Sequence, residues 1–248
     1  MPLIATALGL SLLGSGGGLL VASSLLLFSD SARRRIVPWL VSYAVGALLG
    51  VSMLALLPEA LATLDTGRVF PTMLVGILVF FVLEKFVLLR HCHTDGCHVH
   101  GTAAPLVIIG DAFHNFLDGA LIATAVLTSV PLGISTAIAV AAHEIPQEIG
   151  DIAILLAAGY SRKRALVLNL ASGASGIAGA LLAYATVEVV PSIAPYVLAF
   201  SAASLLYIAM SDLIPDLHRR QIDSSAVRQV ALIAAGIITI VIFERAFG

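Results

Sequence analysis

From Leu3 to Phe28 the chain runs for 26 residues without one charged side chain, and further charge-free runs occur at 36–58, 165–187 and 189–211. The hydrocarbon core of a bilayer takes about 20 helical residues to cross. Runs of this length therefore predict membrane-spanning helices. The overall balance agrees: 59% of residues are hydrophobic and 11% charged, against about 25% charged in soluble domains. So little charge could not cover a water-soluble surface of this chain.

The pattern predicts an all-α, polytopic membrane protein. Eight transmembrane helices are expected at about 3–28, 36–61, 69–89, 103–128, 133–158, 165–189, 195–217 and 228–247. They fill residues 1–248 as a single transmembrane domain and leave no room for a soluble one. Turn or charge signals separate them, among them Ser29 to Arg35, Asp65 to Arg68, Ser129-Val130-Pro131, Gly159 to Arg164 and Val190-Pro191-Ser192. Basic residues in short loops stay on the cytoplasmic side. Arg33, Arg34, Arg35, Arg90, Arg162, Lys163, Arg164, Arg219, Arg220 and Arg228 all follow odd-numbered spans, while Arg68 and Arg245 fall on the other side. Both termini are thus expected outside. The N-terminal stretch lacks the basic segment of a cleavable signal peptide, so the first span is expected to be retained.

The formal net charge of −2 says little, because acidic and basic residues sit in different layers. Nucleic-acid binding has no support. Cys92 and Cys97 lie in a loop read as cytoplasmic, where thiols stay reduced, so no structural disulfide is expected.

A repeat is visible inside the apolar sequence. Met53-Leu54-Ala55-Leu56-Leu57-Pro58-Glu59 and Met210-Ser211-Asp212-Leu213-Ile214-Pro215-Asp216 both fit M-x-x-L-[LI]-P-[DE]. They end spans 2 and 7, which cross in opposite directions. Gly14, Gly17, Leu19 and Leu20 of span 1 align with Gly176, Gly179, Leu181 and Leu182 of span 6, small residues that permit close helix contact. Together the matches point to an inverted 3+2+3 repeat around spans 4 and 5, a transporter architecture. The alternative is coincidence among apolar segments drawn from few residue types.

Spans 4 and 5 carry the chemistry. Span 4 contains Asp111-Ala112-Phe113-His114-Asn115-Phe116-Leu117-Asp118-Gly119 and span 5 contains His143-Glu144-Ile145-Pro146-Gln147-Glu148-Ile149-Gly150-Asp151. His114 and Asp118 share a helix face, as do His143 and Gln147, and Glu144 and Glu148 share the adjacent one, continued by Asp151. Each ionised side chain at membrane depth costs roughly 2.5–3.5 kcal/mol. A structural hydrogen-bond network would explain one such residue, but ionised carboxylates only accept and no Lys or Arg lies at the same depth. A divalent cation is the economical counter-charge, and imidazole with carboxylate suits zinc. Met53 is a candidate soft donor nearby. Pro146 removes an amide hydrogen and should kink span 5 beside these ligands. The loop after span 3 adds His91, Cys92, His93, Cys97, His98 and His100, a cluster suited to zinc, or else a solvated linker.

These paired motifs resemble the signature of the ZIP (Zrt/Irt-like) metal transporters, nearest the branch whose span 5 reads HEXPHEXGD. The resemblance extends to eight spans, outside termini, a histidine-bearing loop after span 3 and a Leu-Leu-Pro ending to span 2. It implies that His114, Asn115, Asp118, His143, Glu144 and Gln147 form a one- or two-metal centre midway across the membrane, with Glu148 and Asp151 completing the branch motif. It implies zinc as the transported ion, with iron(II), manganese or cadmium moved by some members, and no catalytic cofactor or enzyme activity. It also implies that spans 1, 4, 5 and 6 move as a block against the rest. Gln147 stands where the branch usually has His, and Val51 and Ala55 stand where it often has Asp and His. Both departures remove strong ligands. The expected partners are the metal ion, the lipid bilayer and a second copy of the chain, and the expected setting is a prokaryotic cytoplasmic membrane. Two competing functions are an intramembrane metalloprotease, since His143-Glu144-Ile145-Pro146-Gln147 approximates H-E-x-x-H, and a non-transporting scaffold locked by buried polar residues.

Overall fold

A computed structural model describes residues 3–25, 27–89, 100–218 and 225–247. Among them, the chain forms eight helical rods: α1 (Leu3–Leu25), α2 (30–63), α3 (Thr66–Leu89), α4 (His100–Thr128), α5 (Val130–Ala157), α6 (Arg162–Val189), α7 (Pro191–His218) and α8 (Ser225–Phe247). No described residue is in a strand. The turn chemistry read from the sequence sets several boundaries. Ser29, Ser129 and Ser161 accept from the amides of Ala32, Leu132 and Arg164 as N-caps of α2, α5 and α6, satisfying amides the first turn leaves free. After α5, Gly159 takes a φ of +86°, and the amides of Gly159 and Tyr160 return to the carbonyls of Leu156 and Leu155. That is a Schellman ending, in which glycine avoids the cost of a left-handed Cβ.

Six rods, α1, α2, α3, α6, α7 and α8, are long and apolar enough to cross a membrane. The polytopic membrane reading is thereby upheld, whereas the expectation of eight spans rests on α4 and α5 as well. Those two carry the ionisable residues, which lower their mean hydropathy. Large apolar side chains such as Leu20, Leu74, Leu78, Leu182, Val230 and Ile242 stay exposed on the outer faces, as a lipid-facing surface requires.

The packing partners show where the interior lies. α4 packs on α1, α5 and α6, while α2 packs on α8 and α7, and α7 on α3. α2 also lies along α5 and is the central rod, with 72% of its apolar window buried against 11% for α8. Close approach depends on glycines, most plainly between α4 and α6. A Cβ on Gly179 would strike the carbonyl of Phe116, and one on Gly119 the carbonyl of Gly176, so α4 and α6 meet backbone to backbone. A Cβ on Gly14 would press on Ile122 and Val140, but one on Gly17 would meet open space. Only part of the predicted glycine stripe is used for packing.

The rods are not uniform. π-helical turns occupy Leu12–Gly16 in α1, Ser52–Leu56 in α2 and Ile208–Leu213 in α7, and α6 breaks at Ala174. α5, by contrast, stays helical through Pro146.

Candidate metal centre

α4 and α5 are antiparallel neighbours, joined by the turn capped by Ser129. Helical spacing brings His114 and Asp118 of α4 to the same level as His143 and Glu144 of α5. Four ligand-capable atoms converge there. His114 Nε2 lies 3.0 Å from His143 Nε2, 3.4 Å from Asp118 Oδ2 and 3.7 Å from Glu144 Oε1. His143 Nε2 lies 3.1 Å from Asp118 Oδ2 and 3.7 Å from Glu144 Oε1. A tetrahedral zinc site with bonds of about 2.0–2.1 Å needs ligand atoms about 3.3 Å apart. The observed separations straddle that value.

The surroundings explain why these atoms point inward. His143 and Glu144 are fully buried and Asp118 nearly so, whereas His114 retains slight access. His143 Nδ1 donates to the carbonyl of Ala139 at 3.2 Å, because a carbonyl can only accept; in the neutral ring the Nε2 lone pair is then the one that faces the cluster. Asp118 Oδ2 and both oxygens of Glu144 are buried without a hydrogen-bond partner. Such acceptors are destabilising unless a cation meets them. On the far side of Glu144, Gly18 of α1 lets the rod pack against the glutamate, where a Cβ would come within 2.7 Å of its Cβ.

The remaining predicted residues fall into different positions. Asn115 is fully buried, and its Nδ2 donates to Asp111 Oδ1 at 3.0 Å, leaving its Oδ1 unpartnered. Gln147 Nε2 also donates to Asp111 Oδ1, at 2.9 Å. The residue that departs from the branch pattern is thus engaged with a neighbouring carboxylate. Glu148 is buried with both oxygens unpartnered, and Asp151 is half-buried one turn further along α5. Met53 lies in the π turn of α2 and is 46% exposed. His91, Cys92, His93, Cys97 and His98 lie outside the described residues, and of His100 only the backbone, at the start of α4, is described.

In the sequence Asp111 stands only as one more polar residue of span 4. It accepts from Asn115 of α4, Gln147 of α5 and Ser172 of α6, and so ties three rods together. Asn169, Ser172 and Ser175 of α6 had no sequence signal beyond being small or polar. Ser175 reaches the carbonyl of Ala112 at 2.5 Å. Toward the opposite end of the rods, a cavity of about 230 Å³ opens between α2, α4, α6 and α7, with Glu59, Thr63 and Thr128 among its lining residues.

Comparison with known proteins agrees with the motif reading. A family model described as ZIP Zinc transporter matches residues 89–244. The chain is 34% identical over 220 residues to zinc transporter ZIP13 of Pongo abelii, covering 83% of this chain and 66% of that protein. It is 29% identical over 259 residues to the human ZIP13, covering 83% and 70%. A third relative, zinc transporter ZIP10 of Danio rerio, is 40% identical over 112 residues, which are 45% of this chain and 13% of that much longer protein. The matched family region contains both α4 and α5 and therefore every atom of the converging cluster, and on that footing the chain belongs to the ZIP zinc transporter family.

Proposed function

We propose that the chain carries divalent transition-metal ions, zinc foremost, through the membrane into the cytosol, with His114, Asp118, His143 and Glu144 forming the midmembrane binding station. The observation that carries this reading is the convergence of two imidazole nitrogens and two unpartnered carboxylate oxygens at tetrahedral spacing. A site built of bare acceptors attracts a cation and rejects anions. Its burial strips water from the ion, and the exchange of hydration for ligands supplies the selectivity. Asn115, Gln147, Glu148 and Asp151 lie beside this station as further donors. Met53, on the neighbouring α2, supplies a soft one.

The other features of the reading have their own support. Eight spans follow if α4 and α5 cross with the six apolar rods. An inverted repeat is supported by the π turns at corresponding places in α2 and α7, and by the irregularities of α1 and α6 at aligned positions. Movement of α1, α4, α5 and α6 as a block is consistent with their mutual packing. The loop charges favour both termini outside, and a prokaryotic cytoplasmic membrane with a homodimeric arrangement remains part of the proposal. Protease chemistry fits worse, because Gln147 occupies the place of the second zinc histidine and binds Asp111 instead.

The test is zinc-65 uptake into sealed proteoliposomes holding the purified chain. Wild-type protein should show saturable flux, competed by cadmium, iron(II) or manganese to different degrees. The His143→Ala, Asp118→Ala double variant should insert normally and lose flux to background. Wild-type flux in that variant would sink the assignment.

A further inference from the structure

Far from the metal centre, α2 and α8 lie side by side. A Cβ on Gly46 would strike the carbonyl of Ile233, and one on Gly50 would crowd the backbone of Ile237. The second contact lies one turn after the first on both rods, so α2 and α8 run in parallel and start at the same end of the bundle. Toward that end the same register brings Arg228 of α8 onto Trp39 of α2, with the guanidinium carbon 5.0 Å from the ring centroid. Arg35 lies one turn before Trp39 on the same face of α2.

These three side chains stand at a boundary. Arg35 is the last charged residue before the charge-free run 36–58, and Arg228 the last before 229–243, so the hydrocarbon layer begins at the same level on both rods. Trp39 is one turn inside, at the depth where amphipathic rings collect in a membrane interface. It is 36% exposed although its rod is the central one. Val227 and Val230, before and after Arg228 on α8, are among the most exposed apolar side chains. The group therefore opens outward, toward lipid. Both arginines are exposed, and among the described residues neither has a carboxylate partner. Stacking on Trp39 occupies the flat face of the Arg228 guanidinium and leaves the N–H donors in its plane free, the edge that matches a phosphate.

The geometry points to a binding site for an anionic phospholipid at the start of the α2–α8 junction. Arg228, held flat on Trp39, and Arg35 one turn away bind the headgroup phosphate by charge-assisted hydrogen bonds, and the acyl chains lie along Val227, Val230 and the outer face of α8. A free phosphate ion would use the guanidinium groups but not the apolar flank, whereas a phospholipid uses both. The glycine contacts between the two rods begin only at Gly46. A headgroup bridging Arg35 and Arg228 therefore secures the first turns of α8, whose apolar window is only 11% buried by the rest of the chain. In the orientation that the loop charges favour, the lipid belongs to the cytoplasmic leaflet, where anionic headgroups attract basic side chains. The site depends on membrane embedding and not on the metal centre, so it stands or falls separately from zinc transport.

Trp39 is the only tryptophan of the chain, so tryptophan fluorescence reads this position alone. The full chain is reconstituted in phosphatidylcholine vesicles that carry a fixed fraction of brominated lipid, either phosphatidylglycerol or phosphatidylcholine, because bromine quenches the ring on contact. Brominated phosphatidylglycerol should quench wild-type Trp39 preferentially, with a relative association of about fivefold or more, the gain expected of one basic residue at an anionic surface. In the Arg35→Gln, Arg228→Gln double variant the preference should fall to near unity. Quenching by brominated phosphatidylcholine should persist there, which shows that Trp39 still faces lipid. Arg162→Gln, at the α5–α6 turn, should keep the wild-type preference. Equal quenching of the wild type by the two lipids overturns the site and needs no variant to do so. A preference that survives the double variant, or one that disappears in Arg162→Gln, overturns it too, since either reports general surface charge. Absence of quenching by both lipids would mean that protein, a second copy of the chain included, covers Trp39, and also overturns it.

Discussion

At the scale of single residues, the site is decided by which lone pairs are left free. His143 is oriented through Nδ1 on the Ala139 carbonyl, and Asp118 and Glu144 turn oxygens toward the two imidazole Nε2 atoms. Removing one ligand, as in His143→Ala or Glu144→Ala, should lower zinc affinity by about 100-fold or more, since even outer-shell losses weaken metal binding by about 10–100-fold. Calorimetric or dialysis titration of each variant checks this. Gln147 is a subtler case. Its amide donates to Asp111, yet it lies one turn from His143 on the same face of α5. Gln147→His offers an imidazole where an amide stood, and zinc favours nitrogen over amide oxygen. The expected result is a zinc affinity raised on the order of tenfold, about 1.4 kcal/mol, with slower turnover and a smaller gain for manganese. Unchanged affinity and unchanged metal preference would mean that position 147 serves only to brace Asp111. The motif residues were legible in the sequence because helical spacing fixes which of them share a face. The role of Asp111 was not legible, because two of its three donors come from other rods.

At the scale of elements, the α4–α6 contact is the one that substitutions should test first. Gly119 and Gly179 allow the two backbones to touch, and a side chain at either meets a carbonyl that cannot move aside. Gly179→Ala should therefore destabilise the protein by about 1–3 kcal/mol, the usual range for overpacking. The apparent unfolding temperature in detergent should fall by several degrees. Gly17→Ala is the control, because nothing stands near the Cβ it would add, and it should leave that temperature unchanged. The sequence had presented Gly14, Gly17, Gly176 and Gly179 as equivalent small residues. Their different environments depend on the rotation of each rod about its own axis, which spacing alone does not specify. The caps were easier to read: Ser129 and Ser161 sit at the helix starts that their loop signals implied.

At the scale of the whole molecule, two predictions bear on how the rods sit in a membrane and what the long loop does. Single cysteines introduced at Asp65 and Ser161, in a chain lacking Cys92 and Cys97, should react with an impermeant maleimide from opposite sides. Position 65 should label in intact cells and position 161 only after permeabilisation; the reverse pattern would invert the proposed orientation. Deleting residues 91–99 should change the apparent affinity or rate of zinc uptake without abolishing it, since the histidine station lies on α4 and α5. Complete loss of flux in a well-folded deletion protein would mean that the loop forms part of the pathway.

The sequence by itself determined that the chain is helical and membrane-embedded, because charge-free runs longer than a bilayer core have no other economical solution. It also concentrated carboxylates and imidazoles on α4 and α5, where such depth calls for a counter-charge. Only the tertiary structure decided how these ligands divide. Helix rotation and the approach of α6 place His114, Asp118, His143 and Glu144 around one point. The same approach turns Gln147 and Asn115 toward Asp111 and leaves Glu148 of α5 and Asn169 of α6 without hydrogen-bond partners. Those outcomes depend on distances between segments far apart in the chain. Local spacing fixes a face of a helix, but only packing fixes what that face meets.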